Sequence, residues 1–327
     1  MDEQNNKSNV GQILNDEVSV SHEGISIKRQ NIIETDERYI DMPSGEALSL
    51  QDTYTIMAKE KTRLIIVIGP SESGKTTLET ALYQMFQSGQ LKNYFFAGSK
   101  TLQGYEERAF RTRINSGRSR PDMPRTSTGI QEQFLHIKVY NAEEETYYNL
   151  LFADIAGEDY SNCIANSNEM RKQFPYFKNA DYFVALLDGN QMGDRAKRYS
   201  IPENLKQMFR TIVDAGLCKN ECVLQIVTSK YDLIDGADCD NSEEILKFLA
   251  QNEVNLNKYF DKYFSIVEFV NIAAMPCVKG KYQCGFGVDI LLKTWCKKNN
   301  FSLRTEVDSR MNLLAEFNKL SYKLLEN

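Results

Sequence analysis

The stretch best suited to chemistry is Gly69-Pro-Ser-Glu-Ser-Gly-Lys-Thr-Thr77. Gly69, Gly74, Lys75 and Thr76 fit G-x-x-x-x-G-K-[ST], a loop whose backbone N–H groups turn toward a chain of phosphates. A triphosphate carries several negative charges, and the N-terminus of a following helix adds partial positive charge. In this reading Gly69 permits the tight turn, and Gly74 lets backbone approach phosphate with no side chain between. Lys75 reaches the outer phosphates, and the Thr76 hydroxyl ligates Mg2+. Ser71, Glu72, Ser73 and Thr77 complete the cradle. A Gly/Ser-rich surface turn can match the same pattern, so the flanking elements decide.

Two more constellations follow in the chain. Asp154-Ile-Ala-Gly157-Glu158 is D-x-x-G at the end of the apolar run 147–153. A carboxylate there can hold Mg2+ through water, and the glycine N–H can meet the terminal phosphate. D-x-x-G is common alone and gains meaning only after a phosphate loop. The second is Ser229-Lys230-Tyr231-Asp232, after the run 222–228. A short carboxylate just past a strand can accept two N–H bonds from guanine, and adenine offers no such pair. Because an unpaired buried acceptor is heavily penalised, such a site discriminates by up to about 10⁴. The Lys230 stem would lie along the base plane. A polar loop after a strand is the plain alternative.

Arginines also cluster: Arg108, Arg111, Arg113, Arg118, Arg120 and Arg125. For most of them a solvated helix face and a basic loop suffice. An arginine delivered to a terminal phosphate stabilises charge that develops in phosphoryl transfer, and Arg125, before Thr126-Ser127-Thr128, is best placed.

These groups need elements to hold them. Residues 63–68 are apolar and β-branched and read as a strand buried on both faces. Leu78, Ala81, Leu82, Met85 and Phe86 recur at helical spacing. Further strands are expected at 93–99, 134–140, 147–153, 182–187, 222–228 and 265–272, with 134–153 an antiparallel ribbon. Helices are expected at 102–114, 169–177 (disturbed by Pro175), 205–213 with Gly216 as its stop, 242–264, 288–296 and 305–325. His136 falls in strand alternation and reads as a packed histidine. The result is an α/β fold of three layers, a mostly parallel sheet between helices. Residues 1–62 read as a leader, polar over the first fifteen, with a hairpin around His22-Glu23-Gly24. Residues 63–300 form the main domain, with an insertion at 92–129. Residues 301–327 are a C-terminal helix packed on it, with homodimerisation the alternative.

The chain has 327 residues, of which 42% are hydrophobic and 26% charged, enough for a real core. A net charge of −6 argues against general affinity for nucleic acid. No apolar run approaches the roughly 18–20 residues of a membrane span. The N-terminus is acidic and polar, unlike a signal peptide. Seven scattered cysteines without a C-x-x-C point to free thiols in a reducing cytosol.

Phosphate loop, threonine before a strand, D-x-x-G and S-K-x-D, each after a strand, resemble the motif order of Ras-like, translation-factor-related GTPases over 63–300. Ala273 and Ala274 stand at that family's last guanine-contacting loop. More narrowly, Phe96-Ala-Gly-Ser-Lys-Thr-Leu-Gln-Gly104 and Pro124-Arg-Thr are similar to the second type of bacterial double-GTPase. The resemblance implies GTP and GDP as ligands with Mg2+ on Thr76, Asp154 and a switch threonine, Thr126 or Thr128, with Pro-Arg-Thr favouring Thr126. It implies slow, partner-activated hydrolysis, a protein partner such as a second GTPase or effector, and a role in anti-phage defence. Two departures bear on this. Ser229 replaces Asn or Thr, shortening that side chain's reach. Glu158 stands where Ras-like enzymes carry a glutamine, and a carboxylate there either acts as a base or repels phosphate. The rivals are a P-loop ATPase or kinase and a GTP-binding scaffold that never hydrolyses.

Overall fold

The computed structural model describes residues 12–21, 24–33, 45–89, 91–110, 133–235, 241–277 and 281–297. Arg111, Arg113, Arg118, Arg120, Arg125, Thr126, Thr128 and the 305–325 helix fall outside them. Two compact units are present, the first ending at Ser44 and the second starting at Gly45.

In the first unit β1 (Gln12–Ser21) and β2 (Gly24–Ile33) pair antiparallel, with Val18 opposite Ile27 and Val20 opposite Ile25. The hairpin is longer than the alternation suggested, and its first strand begins inside the polar fifteen.

The second unit opens with α1 (Leu50–Met57), a helix not expected within the 1–62 leader. Ser49 and Asp52 cap it reciprocally, the Ser49 side chain accepting the Asp52 N–H and the Asp52 side chain accepting the Ser49 N–H. Leu48 bridges to Phe134. The sheet runs β4-β5-β6-β3-β7-β8-β9. Its strands are β3 (Thr62–Ile68), β4 (Tyr94–Gly98), β5 (Gln133–Asn141), β6 (Thr146–Asp154), β7 (Tyr182–Asp188), β8 (Val223–Ser229) and β9 (Ile266–Asn271). Only β5 runs against the others. The strands β6, β3, β7, β8 and β9 therefore all deliver their C-terminal ends to one edge, where open α/β sheets bind ligands.

Alternation along β3 splits the core in two. Leu64, Ile66 and Ile68 face one layer and Ile65 and Val67 the other. The second layer holds α2 (Lys75–Ser88), α3 (Leu102–Phe110) and α10 (Val288–Trp295). Trp295 points inward as its apolar neighbours require, donating from Nε1 to Gln225 Oε1 at 2.8 Å. The first layer holds α1, α4 (Gly157–Ser161), α5 (Ser167–Gln173), α8 (Ser200–Asp214) and α9 (Ser242–Phe260). Two short helices, α6 (Gly189–Gly193) and α7 (Arg195–Arg198), lead into α8. Pro175 ends α5 rather than bending it, and Phe174 leaves the helical region before a 3-10 turn at Pro175–Asn179. Gly216 stops α8 in the left-handed conformation, φ +67°. His136 is the packed histidine expected: its Nδ1 accepts the Lys100 N–H at 3.0 Å, and Nε2 meets Asn149 Oδ1 at 2.9 Å.

Candidate nucleotide site

The phosphate loop leaves β3 at Gly69 and enters α2 at Lys75. Two positions in it take up left-handed backbone, Glu72 at φ +64° and Gly74 at φ +97°. The two glycines are held by different constraints. Gly69 is needed for space: a Cβ there would lie 2.5 Å from Ser73 Oγ and 2.9 Å from Leu186 Cβ. Gly74 is needed for conformation, and nothing lies within 4 Å of its would-be Cβ. No side chain caps the N-terminus of α2, which suits an anion there. Lys75 Nζ lies over the loop, donating to the carbonyls of Gly69 at 2.8 Å and Pro70 at 3.1 Å. Ser71, Thr76 and Thr77 are half-buried, Ser73 is buried and Glu72 is exposed.

The D-x-x-G segment packs directly on this loop. A Cβ on Gly157 would sit 2.9 Å from Ser71 N and 3.1 Å from Pro70 C. Three residues on, the buried Tyr160 hydroxyl accepts the Gly69 N–H at 2.7 Å. The sequence reading missed Tyr160; its signal was an aromatic one helical turn after the motif glycine. Glu158 lies in the backbone of α4, and its side chain is outside the described set. Gly157→Ala is expected to push backbone against backbone. Overpacking of this kind costs about 1–3 kcal/mol, so the nucleotide-free protein should melt lower by a few degrees. An unchanged melting temperature would mean the two loops are not in contact.

Asp154 is where the sequence placed it, at the end of β6, but it is already engaged. Arg108 Nη2 donates to its Oδ2 at 2.5 Å, with side-chain exposures of 16% and 6%. A solvated helix face is what the sequence suggests for most of the cluster, and the structure corrects this for Arg108. Beside the pair lies Glu79 on α2, fully buried, whose Oε2 has no hydrogen-bond partner among the described residues. Burial first, and then the charge of Asp154, push the Glu79 carboxyl well above the usual carboxylate range.

The Ser229-Lys230-Tyr231-Asp232 segment lies against the same phosphate loop. Ser229 Oγ donates to the Ser73 carbonyl at 2.7 Å, so the loop after β8 is bonded to the phosphate loop itself. Its short reach is sufficient for that contact. Lys230 adopts φ +52°, and its Nζ pairs with Asp188 at 3.1 Å. Asp188, at the end of β7, was not singled out in the sequence; buried, it also accepts the Asn190 N–H. A Cβ on Gly189 would lie 2.5 Å from the Ser229 carbonyl, so the loops after β7 and β8 touch. Asp232 is buried, and its Oδ2 accepts the Cys277 N–H at 2.8 Å. The Tyr231 N–H donates to the Ile272 carbonyl at 3.0 Å, drawing the last loop alongside. In that loop the Ala273 N–H is taken by the Phe286 carbonyl at 3.1 Å. Ala273 and Ala274 are both buried.

These loops touch one another along one edge of the sheet, the uncapped start of α2 and Lys75 among them and the buried Asp232 in the loop after β8. The family model for Double-GTPase 2 matches residues 63–296. The chain belongs to the Double-GTPase 2 family. It is a GTP-binding protein with the P-loop GTPase fold. No curated protein matches it. Two solved structures show low similarity. One is translation elongation factor SelB from Methanococcus maripaludis in complex with the GTP analogue GppNHp, at 14% identity and TM-score 0.32. That match covers 66% of this chain and 30% of SelB, so this chain spans under a third of that protein. The other is the signal recognition particle receptor SRb-GTP/SRX complex from Chaetomium thermophilum, at 16% identity and TM-score 0.37, covering 67% of this chain and 93% of that one. Among the described residues no helix of this Double-GTPase 2 protein is long and apolar enough to cross a membrane.

Proposed function

We propose that the protein binds GTP across these loops, hydrolyses it slowly to GDP, and uses the difference between the two states to control affinity for a protein partner. The observation that carries this reading is the bond from Ser229 Oγ to the Ser73 carbonyl, 2.7 Å long. It holds the base-reading loop and the phosphate loop as one unit, as a single nucleotide requires. The donor set fits a nucleotide with its metal. Lys75 and the start of α2 face the phosphates, the Thr76 hydroxyl and Asp154 supply hard oxygen ligands, and the open face of Gly74 leaves room. Mg2+, when bound, neutralises charge on the phosphate oxygens.

The chain's own residues do the remaining work. Lys75 exchanges the loop carbonyls for phosphate oxygens. Gly157, seated on Ser71, brings its N–H to the terminal phosphate. Asp232 orients the base, and Lys230, pinned by Asp188, lies along it. Arg125 would add charge stabilisation and Thr126 a further metal contact, as their sequence positions suggest. Glu158, in place of glutamine, is consistent with intrinsic hydrolysis slow enough to await a partner. The partner we propose is a second GTPase or an effector, in a bacterial defence setting. The segment 157–175, together with 116–129, which lies outside the described residues, is the proposed switch that distinguishes GTP from GDP.

Calorimetry with GTP, GDP and ATP, paired with a phosphate-release assay, tests this. GTP and GDP should bind in preference to ATP, with slow phosphate release. ATP outcompeting GTP would point to an ATPase or kinase. Tight GTP retention with no release, even beside the partner, would leave a scaffold.

A further inference from the structure

The Arg108–Asp154 pair joins α3 to the end of β6, and the element that carries the arginine is anchored. A Cβ on Gly104 would lie 1.8 Å from the Glu46 carbonyl oxygen, and the Gly104 N–H donates to the Gly45 carbonyl at 2.9 Å. The Tyr83 hydroxyl and Gln87 Nε2 both bond Glu106, and Tyr83 stacks on Tyr105 with centroids 5.2 Å apart. Arg108 Nη1 donates back to the Gly104 carbonyl at 3.0 Å. The guanidinium is thus presented to Asp154 from a fixed base. Withdrawing two charges from water is costly, and each offsets part of that cost for the other.

We propose that Arg108 sets the Mg2+ requirement of the nucleotide site, because the guanidinium and the metal draw on the same Asp154 carboxylate. This rests on the reading of Asp154 as the metal-side carboxylate. Each cation weakens the hold of the other by the same factor, as linkage demands. Arg108 is a positioning residue: it neutralises Asp154 in the metal-free protein and loosens when metal enters. Since Arg108 belongs to α3, that helix is the part of the chain where metal entry is felt.

The test is retention of a fluorescent GDP by the full chain as Mg2+ is titrated in metal buffer. Arg108→Gln should lower the Mg2+ midpoint by roughly fivefold or more. Arg108→Lys keeps the charge without the planar fork and should fall between Arg108→Gln and the natural protein. An unchanged or raised midpoint in folded Arg108→Gln overturns the proposal. If that variant does not fold, Arg108→Lys decides, an unchanged midpoint again being fatal. Asp154→Asn should raise the midpoint and cancel the effect of Arg108→Gln in the double variant. If Asp154→Asn leaves the midpoint in place, the metal reading of Asp154 fails and takes this inference with it. If Asp154→Asn raises it but Arg108→Gln does not lower it, the Arg108 inference alone fails.

Discussion

Lys75→Ala is expected to abolish useful nucleotide binding. The ammonium already sits over the loop, bonded to the Gly69 and Pro70 carbonyls. A bound phosphate chain would trade those neutral acceptors for charged ones, which bind a cation about twice as strongly. Truncating one side of a buried charge pair costs about 2–5 kcal/mol, so GTP and GDP affinity should fall by at least roughly 30-fold in calorimetry. The nucleotide-free variant should remain folded, because the core beneath the loop is untouched: Ile66 and Ile68 lie in one layer, and Leu78 and Leu82 in the other. A circular-dichroism melt provides that control. Affinity unchanged in a folded variant would remove the phosphate-loop assignment.

Asp232→Asn should change which base is preferred rather than whether nucleotide binds. The carboxylate is 2% exposed and set in place by the Cys277 N–H. Asparagine keeps the size and can keep that bond through its carbonyl. It then turns an NH₂ toward the guanine N1–H and exocyclic amine, so donor meets donor. Xanthine carries a carbonyl in place of the amine and accepts from the same NH₂. GTP affinity should drop by roughly 10²- to 10⁴-fold while XTP affinity rises. ATP should stay weak in both proteins. If the variant keeps its guanine preference in the same calorimetric series, base recognition lies elsewhere. The two substitutions act in different loops, so comparing them separates loss of grip on phosphate from loss of base choice.

The most local features were readable from sequence alone. Every strand but the hairpin pair was found within two residues of its observed ends; β3, β7 and β8 were the plainest, because strands buried on both faces are continuous apolar runs bounded by polar turns. The loops at their C-terminal ends carry their chemistry in fixed spacings, so Lys75, Asp154 and Asp232 could be nominated without coordinates. Helix α1 was missed despite its capping box, since eight residues with only Thr53 and Ile56 buried give too short a period to stand out.

What sequence could not decide is which distant side chains meet. Arg108 lies 46 residues before Asp154, in a cluster of arginines alike in composition, and the docking of α3 is what brings it to that carboxylate. Tyr160, Asp188 and Glu79 gain significance from burial against the phosphate loop, its helix and the base loop, which no linear pattern records. The constraints on Gly69 and Gly74 differ in the same way: the conformation of Gly74 is a local backbone angle, whereas the crowding at Gly69 comes from Ser73 and from Leu186 arriving on β7. Sequence by itself determined the strands of the main sheet and which residue types stand at their ends, because these depend on neighbours along the chain. Tertiary structure alone decided that Ser229 would bond Ser73 across 156 residues. Parallel strand pairing brings all these ends to one edge, and contacts between loops from different strands exist only once the sheet has formed.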